Sequence, residues 1–308
     1  MSATTTALTD LNVGSQAGRA ARKSKGLVHR ALSTFVRDRV AMTAFIIVIV
    51  LVIFALGAGV VSRLTGFTPQ ENHLAAKLSA PGENGYILGS DANGRDILTR
   101  LAYGARISLT VAVLATFFEL TIGLGVGLIA GYAGKWVDFV LMRLVDVLLS
   151  IPTLPLLILI STLYRPGTYM LALILALVSW PGDSRLLRGE ALSLKSREYV
   201  EAAKVVGVSP TGIVLRYILP NVMPTMLVLA SLTVPALIIA ETSLSFLGVG
   251  VQVPTPSWGN MLDETYRFYR TNWTNVFIPG FIVFTASLAL YLVGDGLRDA
   301  FDPKQSPR

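Results

Sequence analysis

Six stretches of the chain, at 41–61, 107–130, 139–163, 168–182, 222–247 and 277–296, are almost continuously apolar. A helix needs about 20 such residues to cross the hydrocarbon core of a bilayer, and these runs are too unbroken for the amphipathic elements of a soluble protein. Composition agrees, with 53% hydrophobic and only 15% charged residues. The expected fold is all-α: a polytopic transmembrane bundle of about six spans within residues 41–297, embedded in a lipid bilayer. The fourth run is the shortest, and its Trp180-Pro181-Gly182 end is expected at the membrane interface.

Charge sets an orientation. With both termini cytoplasmic, the inner side carries 18 of the 26 Lys and Arg residues: seven ahead of the first span, Lys135, Arg143, six from Arg185 to Arg216, then Arg298, Lys304 and Arg308. Arg63, Lys77, Arg95, Arg100, Arg106, Arg165, Arg267 and Arg270 fall outside. The asymmetry obeys the positive-inside rule, so the net charge of +7 reads as topology. A nucleic-acid footprint would gather its cations on one face with aromatics between them, and no such pattern is present. Residues 1–40 read as a basic, partly disordered cytoplasmic tail, and the apolar run behind them is too long for a cleaved signal sequence. Residues 298–308 read as a cytoplasmic C-terminal tail. There is no Cys, and the two His residues, His29 and His73, are expected on opposite sides of the membrane. Disulfides, thiolate chemistry and a histidine metal centre therefore have no basis.

The charged loop at 183–220 carries the most specific pattern. Tyr199, Ala202, Ala203 and Val206 recur at helical spacing, which predicts a short amphipathic helix with a small, smooth exposed face. Gly207 ends it, because glycine takes the left-handed conformation favoured at helix C-termini, and Ser209-Pro210 serve as N-cap and first-turn residue of a second helix. Ala202, Ala203 and Gly207 would let another protein's backbone come close, while Arg197 and Glu201 offer charges to orient it. The spacing resembles the EAA loop of bacterial ABC importer permeases, in which Glu-Ala-Ala, three residues, Gly, nine residues and Ile-x-Leu-Pro form the helix that docks on the ATPase subunit. Glu201, Ala202, Ala203 and Gly207 fall in place, Tyr217 stands at the Ile position, and Ile218, Leu219 and Pro220 follow. The resemblance makes Arg197, Tyr199, Glu201, Ala202, Ala203, Gly207, Val208 and Pro220 the candidate ATPase-coupling residues.

A second string lies between the first two spans. Leu88-Gly89-Ser90-Asp91 leads through Asn93-Gly94-Arg95-Asp96 to Leu98, Arg100, Leu101, Tyr103-Gly104-Ala105-Arg106 and Ser108-Leu109. Asp91-Ala92-Asn93-Gly94 is a turn by residue chemistry, and the residues after it suit a helix lying on the membrane surface before it turns inward, with the arginines as interfacial anchors. The whole string is similar to the segment before the second span in the second permease subunit of dipeptide, oligopeptide and nickel importers. So are Leu141-Met142-Arg143-x-x-Asp146 with Pro152, and Glu241-x-Ser243-Leu244-Ser245-Phe246-Leu247-Gly248 with Pro254, Pro256 and Ser257-Trp258-Gly259. The resemblance covers most of residues 27–302.

Charges inside a bilayer need partners or water, since an unpaired one costs about 2.5–3.5 kcal/mol at a helix centre. Glu119, Asp146 and Glu241 are such residues. Arg143 stands three residues before Asp146, close enough for an intrahelical pair. Together with Pro152 they are candidates for gating or intramembrane pairing. Gly123, Gly127 and Gly131 repeat along one face of the second span, a pattern that permits close helix packing. Pro152, Pro155 and Pro235 are expected to kink their helices.

The chain contains no Gly-x-x-x-x-Gly-Lys-[Ser/Thr] phosphate loop, no carboxylate pair or Ser/His/Asp set, and no legible metal-ligand spacing. It is expected to have no catalytic site and no cofactor of its own. The resemblance implies that ATP and Mg are bound by two partner ATPase subunits, that a second homologous permease chain completes the pathway, and that an extracytoplasmic binding protein delivers substrate. The expected function is thus half of the pathway of an ABC importer in a bacterial cytoplasmic (inner) membrane, carrying short peptides, with nickel or another small solute as the competing cargo. A proton-coupled secondary transporter using Glu119 or Asp146 is the alternative from another class.

Overall fold

The computed structural model describes residues 27–301. The first 26 residues of the expected N-terminal tail and residues 302–308 lie outside the described residues. Twelve α-helices follow in order among the described residues: α1 (Leu27–Arg37), α2 (Arg39–Leu56), α3 (Ala58–Thr65), α4 (Ile97–Ala133), α5 (Lys135–Ser150), α6 (Thr153–Tyr164), α7 (Thr168–Lys195), α8 (Glu198–Val205), α9 (Pro210–Ile213), α10 (Leu219–Phe246), α11 (Trp258–Thr265) and α12 (Thr274–Phe301). Five of the membrane-length helices are apolar enough to cross a bilayer, and α5 with α6 makes a sixth if the bent pair counts as one span.

Local chemistry sets the boundaries. Asp38 caps α2, its Oδ1 accepting from the amides of Val40 at 2.8 Å and Ala41 at 3.2 Å. Residues 27–37 of the expected tail are helical, and Phe35 is buried beside Gly296 of α12. Asp96 caps α4, accepting from Thr99 N at 2.7 Å. From there α4 runs 37 residues without a break. The expected surface helix that turns inward is therefore absent: Arg100 and Arg106 sit on the first three turns of α4 itself, where nothing in the sequence interrupts the ladder, and Arg95 lies in the turn before it.

The third run is bent by 83° between α5 and α6, with Pro152 as the N-cap of α6. Pro155 falls in the first turn of α6, where a missing N–H has no intrahelical partner, so it adds no kink. α10 likewise continues through Pro235. α7 continues through Pro181 to Lys195, beyond the expected interfacial end of the fourth span at Gly182. Burial explains it: Trp180, Pro181, Ser184, Leu187, Ala191 and Leu194 are all covered. Packing on one face holds the helix together where proline removes one hydrogen bond.

The partner on that face is α4. A Cβ on Gly123 would lie 3.1 Å from Asp183 Cβ, one on Gly127 2.8 Å from Ser184 O, and one on Gly131 2.8 Å from Ala191 Cβ. Residue numbers rise together along the contact, so α4 and α7 run in the same direction with backbones too close for larger side chains. Lys195 Nζ then donates to Tyr132 O at 2.8 Å, satisfying a carbonyl at the end of α4.

Residues 66–96 and 248–273 fold over one end of the bundle, called here the cap end. Asn275 Nδ2 donates to Ser90 O at 2.8 Å, and Tyr86 stacks on Phe67 while its hydroxyl donates to Gly94 O. Gly94 is required: its φ is +76°, and a Cβ would lie 1.9 Å from His73 O. The opposite end, which holds α8 and α9, is the loop end.

Candidate functional site: the coupling hairpin and the intramembrane polar contacts

At the loop end the chain leaves α7 and turns at Ser196-Arg197 into α8. Arg197 is the exposed N-cap, its carbonyl accepting from Val200 N at 2.9 Å and Glu201 N at 3.1 Å. α8 then stops at Gly207, whose φ is +85°. Gly207 N donates to Lys204 O and Val208 N to Ala203 O, the pattern of a left-handed C-terminal cap. Ser209 Oγ accepts from Gly212 N at 3.2 Å and Pro210 opens α9. The helix, turn, helix expected from the sequence is what the chain forms here.

Arg197, Tyr199, Glu201, Ala202, Val206 and Gly207 are exposed as expected, and Ala203 alone departs from that reading. Ala203 is buried, together with Val200, and both point toward the bundle. Ala203 is thus removed from the docking surface, because positions 200 and 203 lie one helical turn apart on the inward stripe. The outward face is Glu201, Ala202, Val205, Val206 and Gly207. Val205 and Val206 are 88% and 83% exposed. Two adjacent valines are thus solvated on the outward face of a short charged helix.

The hairpin is rigidly mounted. Val200, Ile213, Ile218 and Val222 share one buried cluster with Leu187 and Ala191 of α7 and Leu128 of α4, and Val208 and Tyr217 pack against it. Tyr217 therefore fills the apolar position that the Ile of the pattern would take. Pro220 is exposed in the first turn of α10. Its ring would clash with the carbonyl four residues back, and the backbone widens there into a π turn, Val214–Ile218. Tyr199, Arg197, Glu198, Ser193, Ser196 and Asn221 line a cleft of about 800 Å³ beside α8.

The intramembrane candidates separate into different environments. Glu241 of α10 is fully buried and pairs with no cation among the described residues; its carboxylate accepts from Ser108 Oγ at 2.8 Å and Ser245 Oγ at 2.7 Å. Ser108 Oγ also accepts from Trp258 N, and Ser245 Oγ from Val251 N. The separate strings around Ser108, Glu241 and Trp258 thus meet at one carboxylate, which holds the cap to two spans. Glu119 is buried, with its carboxyl against that of Asp183 on α7. Asp146 is half-exposed, 3.9 Å from Arg143, and its closer partner is Arg185 of α7. Asp138 pairs with Arg188 through two contacts, one of them 2.6 Å. These bridges tie α5 to α7, so the intrahelical Arg143 pair is the lesser of the two.

Sequence reasoning missed Asp138, Asp183, Arg185, Arg188 and Glu264. Each partner lies far away along the chain, and no helical spacing signals it. Among the described residues, no group of three or more His, Asp or Glu side chains is placed to hold a metal ion.

A bundle of membrane-length helices with one broken span, a polar cap at one end and a projecting, core-mounted hairpin at the other defines a membrane transport permease. Residues 123–307 match the family described as binding-protein-dependent transport system inner membrane component, and residues 26–81 match the N-terminal TM domain of oligopeptide transport permease C. The chain belongs to this family of ABC importer permeases. It is 39% identical over 284 residues to the oligopeptide transport system permease protein OppC of Escherichia coli, covering 92% of this chain and 93% of the relative. Identity to OppC of Haemophilus influenzae is 38% over 284 residues, with 92% and 90% covered. Identity to the dipeptide transport system permease protein DppC of Bacillus subtilis is 40% over 225 residues, with 73% and 70% covered. The fold is similar to an inward-facing conformation of the MetNI methionine ABC transporter, at TM-score 0.55 and 20% identity over 65% of this chain and 96% of that one.

Proposed function

We propose that this chain forms half of the translocation pathway of an ATP-driven importer for di- or oligopeptides, and that α8 and Gly207 transmit the motion of a partner ATPase to the bundle. The observation that carries this reading is the mounting of the hairpin. Its outward valines and Glu201 are free, whereas Val200, Ile213 and Ile218 are anchored in a cluster shared with α4 and α7. A force on the outer face therefore reaches two spans directly. A dock equally good in both states would shift no equilibrium, so the ATPase must grip α8 differently in its ATP-bound and empty forms.

The partners are a second homologous permease chain, two ATPase subunits that bind ATP and Mg, and an extracytoplasmic binding protein. Both termini and the loop end face the cytoplasm, and the cap end faces outward. The peptide cargo follows the oligopeptide and dipeptide permeases to which the chain is similar. The test is uptake of labelled peptide by proteoliposomes holding the complete system. Uptake is expected to require ATP and the binding protein; uptake driven by a proton gradient without ATP would overturn the reading.

A further inference from the structure

Residues 266–273 form a short connection on the cap, and its side chains divide into two groups. Asn272 turns inward, its Nδ2 donating to Leu78 O and Ser79 O at 3.4 Å each, and Thr265 Oγ1 bonds Asn275 O at 3.2 Å. Both ends of the connection are therefore clamped to the cap. Tyr266, Arg267, Tyr269, Arg270 and Trp273 turn outward and are exposed.

The two arginines are ordered by their neighbours. Arg270 Nε donates to Tyr269 OH at 2.9 Å, with its guanidinium carbon 5.6 Å from that ring's centre. Arg267 repeats the arrangement on Tyr266, with an Nε to OH distance of 3.3 Å and 5.7 Å to the ring. Neither makes an ion pair among the described residues; the carboxylate that acts on Arg267, Asp263, does so without contact. Arg95 and Arg100 on the same cap are the opposite case, buried and neutralised by Asp91 and Glu264. The cap thus spends its internal carboxylates on two arginines and leaves two others pre-positioned, charged and unmatched.

We infer that Tyr266, Arg267, Tyr269 and Arg270 form a docking patch for an acidic surface of the extracytoplasmic binding protein. The inference rests on the importer reading above and assigns that partner a contact surface. Tyr, Trp and Arg are the side chains enriched at the energetic centres of protein interfaces. The clamps at Asn272 and Thr265 lower the ordering cost of binding. Unpaired cations on an exposed face attract an anionic partner over several ångströms and set its register. The patch is also joined through Glu264 on α11 to the first turns of α4, so an arriving partner pushes on a span and not on a free loop.

The test uses the complete importer in nanodiscs and the purified binding protein of the same transport system, loaded with peptide. Charge reversal by the double variant Arg267→Glu, Arg270→Glu is expected to weaken binding tenfold or more and to flatten its salt dependence. Arg267→Lys with Arg270→Lys, which keeps the charge and loses the stacked fork, is expected to fall between it and wild type. Retention of the ATPase subunits and the thermal midpoint, measured in parallel, are expected to be unchanged, since all four side chains are exposed. Equal affinity of wild type and the charge-reversed variant would overturn the inference and leave the importer reading standing. An effect of charge reversal on binding to phosphatidylglycerol vesicles alone would overturn it in favour of a lipid contact. Failure of wild type to bind the binding protein at all would remove the importer reading and the inference together.

Discussion

Arg100 Nη2 lies 2.6 Å from Glu264 Oε2, across 164 residues of sequence. The same oxygen accepts from Arg95 Nη2 at 2.6 Å, and Asp91 Oδ2 contacts Arg95 Nε at 2.7 Å and Arg100 Nε at 3.5 Å. Two cations and two anions are thus balanced in a nearly sealed site between α4, the 88–96 turn and α11. Removing one partner leaves buried charge uncompensated, which costs far more than an exposed pair contributes. Glu264→Ala is expected to destabilise the protein by about 3 kcal/mol, read as a lowered thermal midpoint in detergent. Glu71→Ala, exposed on the same cap, is expected to stay within about 0.5 kcal/mol of wild type. Equal midpoints for the two variants would mean the cluster contributes no cohesion.

The contact between α4 and α7 makes opposite demands on two neighbouring glycines. A Cβ at Gly127 would sit 2.8 Å from Ser184 O and 2.9 Å from Leu187 Cβ, whereas one at Gly125 meets nothing within 4 Å. Gly127→Ala is expected to cost about 1–3 kcal/mol through forced separation of the helices. Gly125→Ala is expected to be neutral or to stabilise by up to about 1 kcal/mol through helix propensity. Thermal unfolding of both variants checks the pair, and a destabilisation by Gly125→Ala that matches Gly127→Ala would contradict the packing.

Gly207 has open space around its Cα, so what a side chain meets there is backbone strain at φ +85° and not a clash. Asn tolerates the left-handed region and Val does not. Gly207→Val is therefore expected to abolish ATP-dependent uptake while the chain remains inserted, and Gly207→Asn to retain most of it. Uptake by Gly207→Val at the wild-type rate would show that the turn plays no part in coupling.

Much of this was legible in the sequence, for identifiable reasons. The spans announce themselves because hydrocarbon demands length and apolarity, and the hairpin does so because Gly207, Ser209 and Pro210 each carry a local conformational preference. The end of α7 was not legible: Pro181-Gly182 reads as a stop, and only burial of Trp180 and Ser184 against α4 carries the helix onward. Ala203 misled for a related reason, since a short helix has two small faces and tertiary packing chooses which one is covered. Glu241 was visible as an anomaly, but its hydroxyl partners Ser108 and Ser245 could be identified only once the cap was folded.

Orientation is open to a direct chemical test. The native chain has no Cys, so Ser196→Cys at the loop end and Gln70→Cys at the cap end, both exposed, give clean single thiols. An impermeant thiol reagent is expected to reach Ser196→Cys only from the cytoplasmic side and Gln70→Cys only from outside. Labelling of both thiols from one side would contradict the odd number of crossings, three, that the spans place between Gln70 and Ser196.

The docking of the ATPase on the outer face of α8, proposed above, is read out by the affinity of purified ATPase subunit for the inserted permease. Val206 is 83% exposed, so Val206→Asp disturbs no internal packing and acts only on a partner. Val206→Asp is expected to weaken this association tenfold or more, a loss of about 1.4 kcal/mol per decade, Glu201→Ala to weaken it in the same direction, and Glu71→Ala at the cap end to leave it unchanged. Equal affinity for wild type, Val206→Asp and Glu201→Ala, with all three inserted, would contradict that docking.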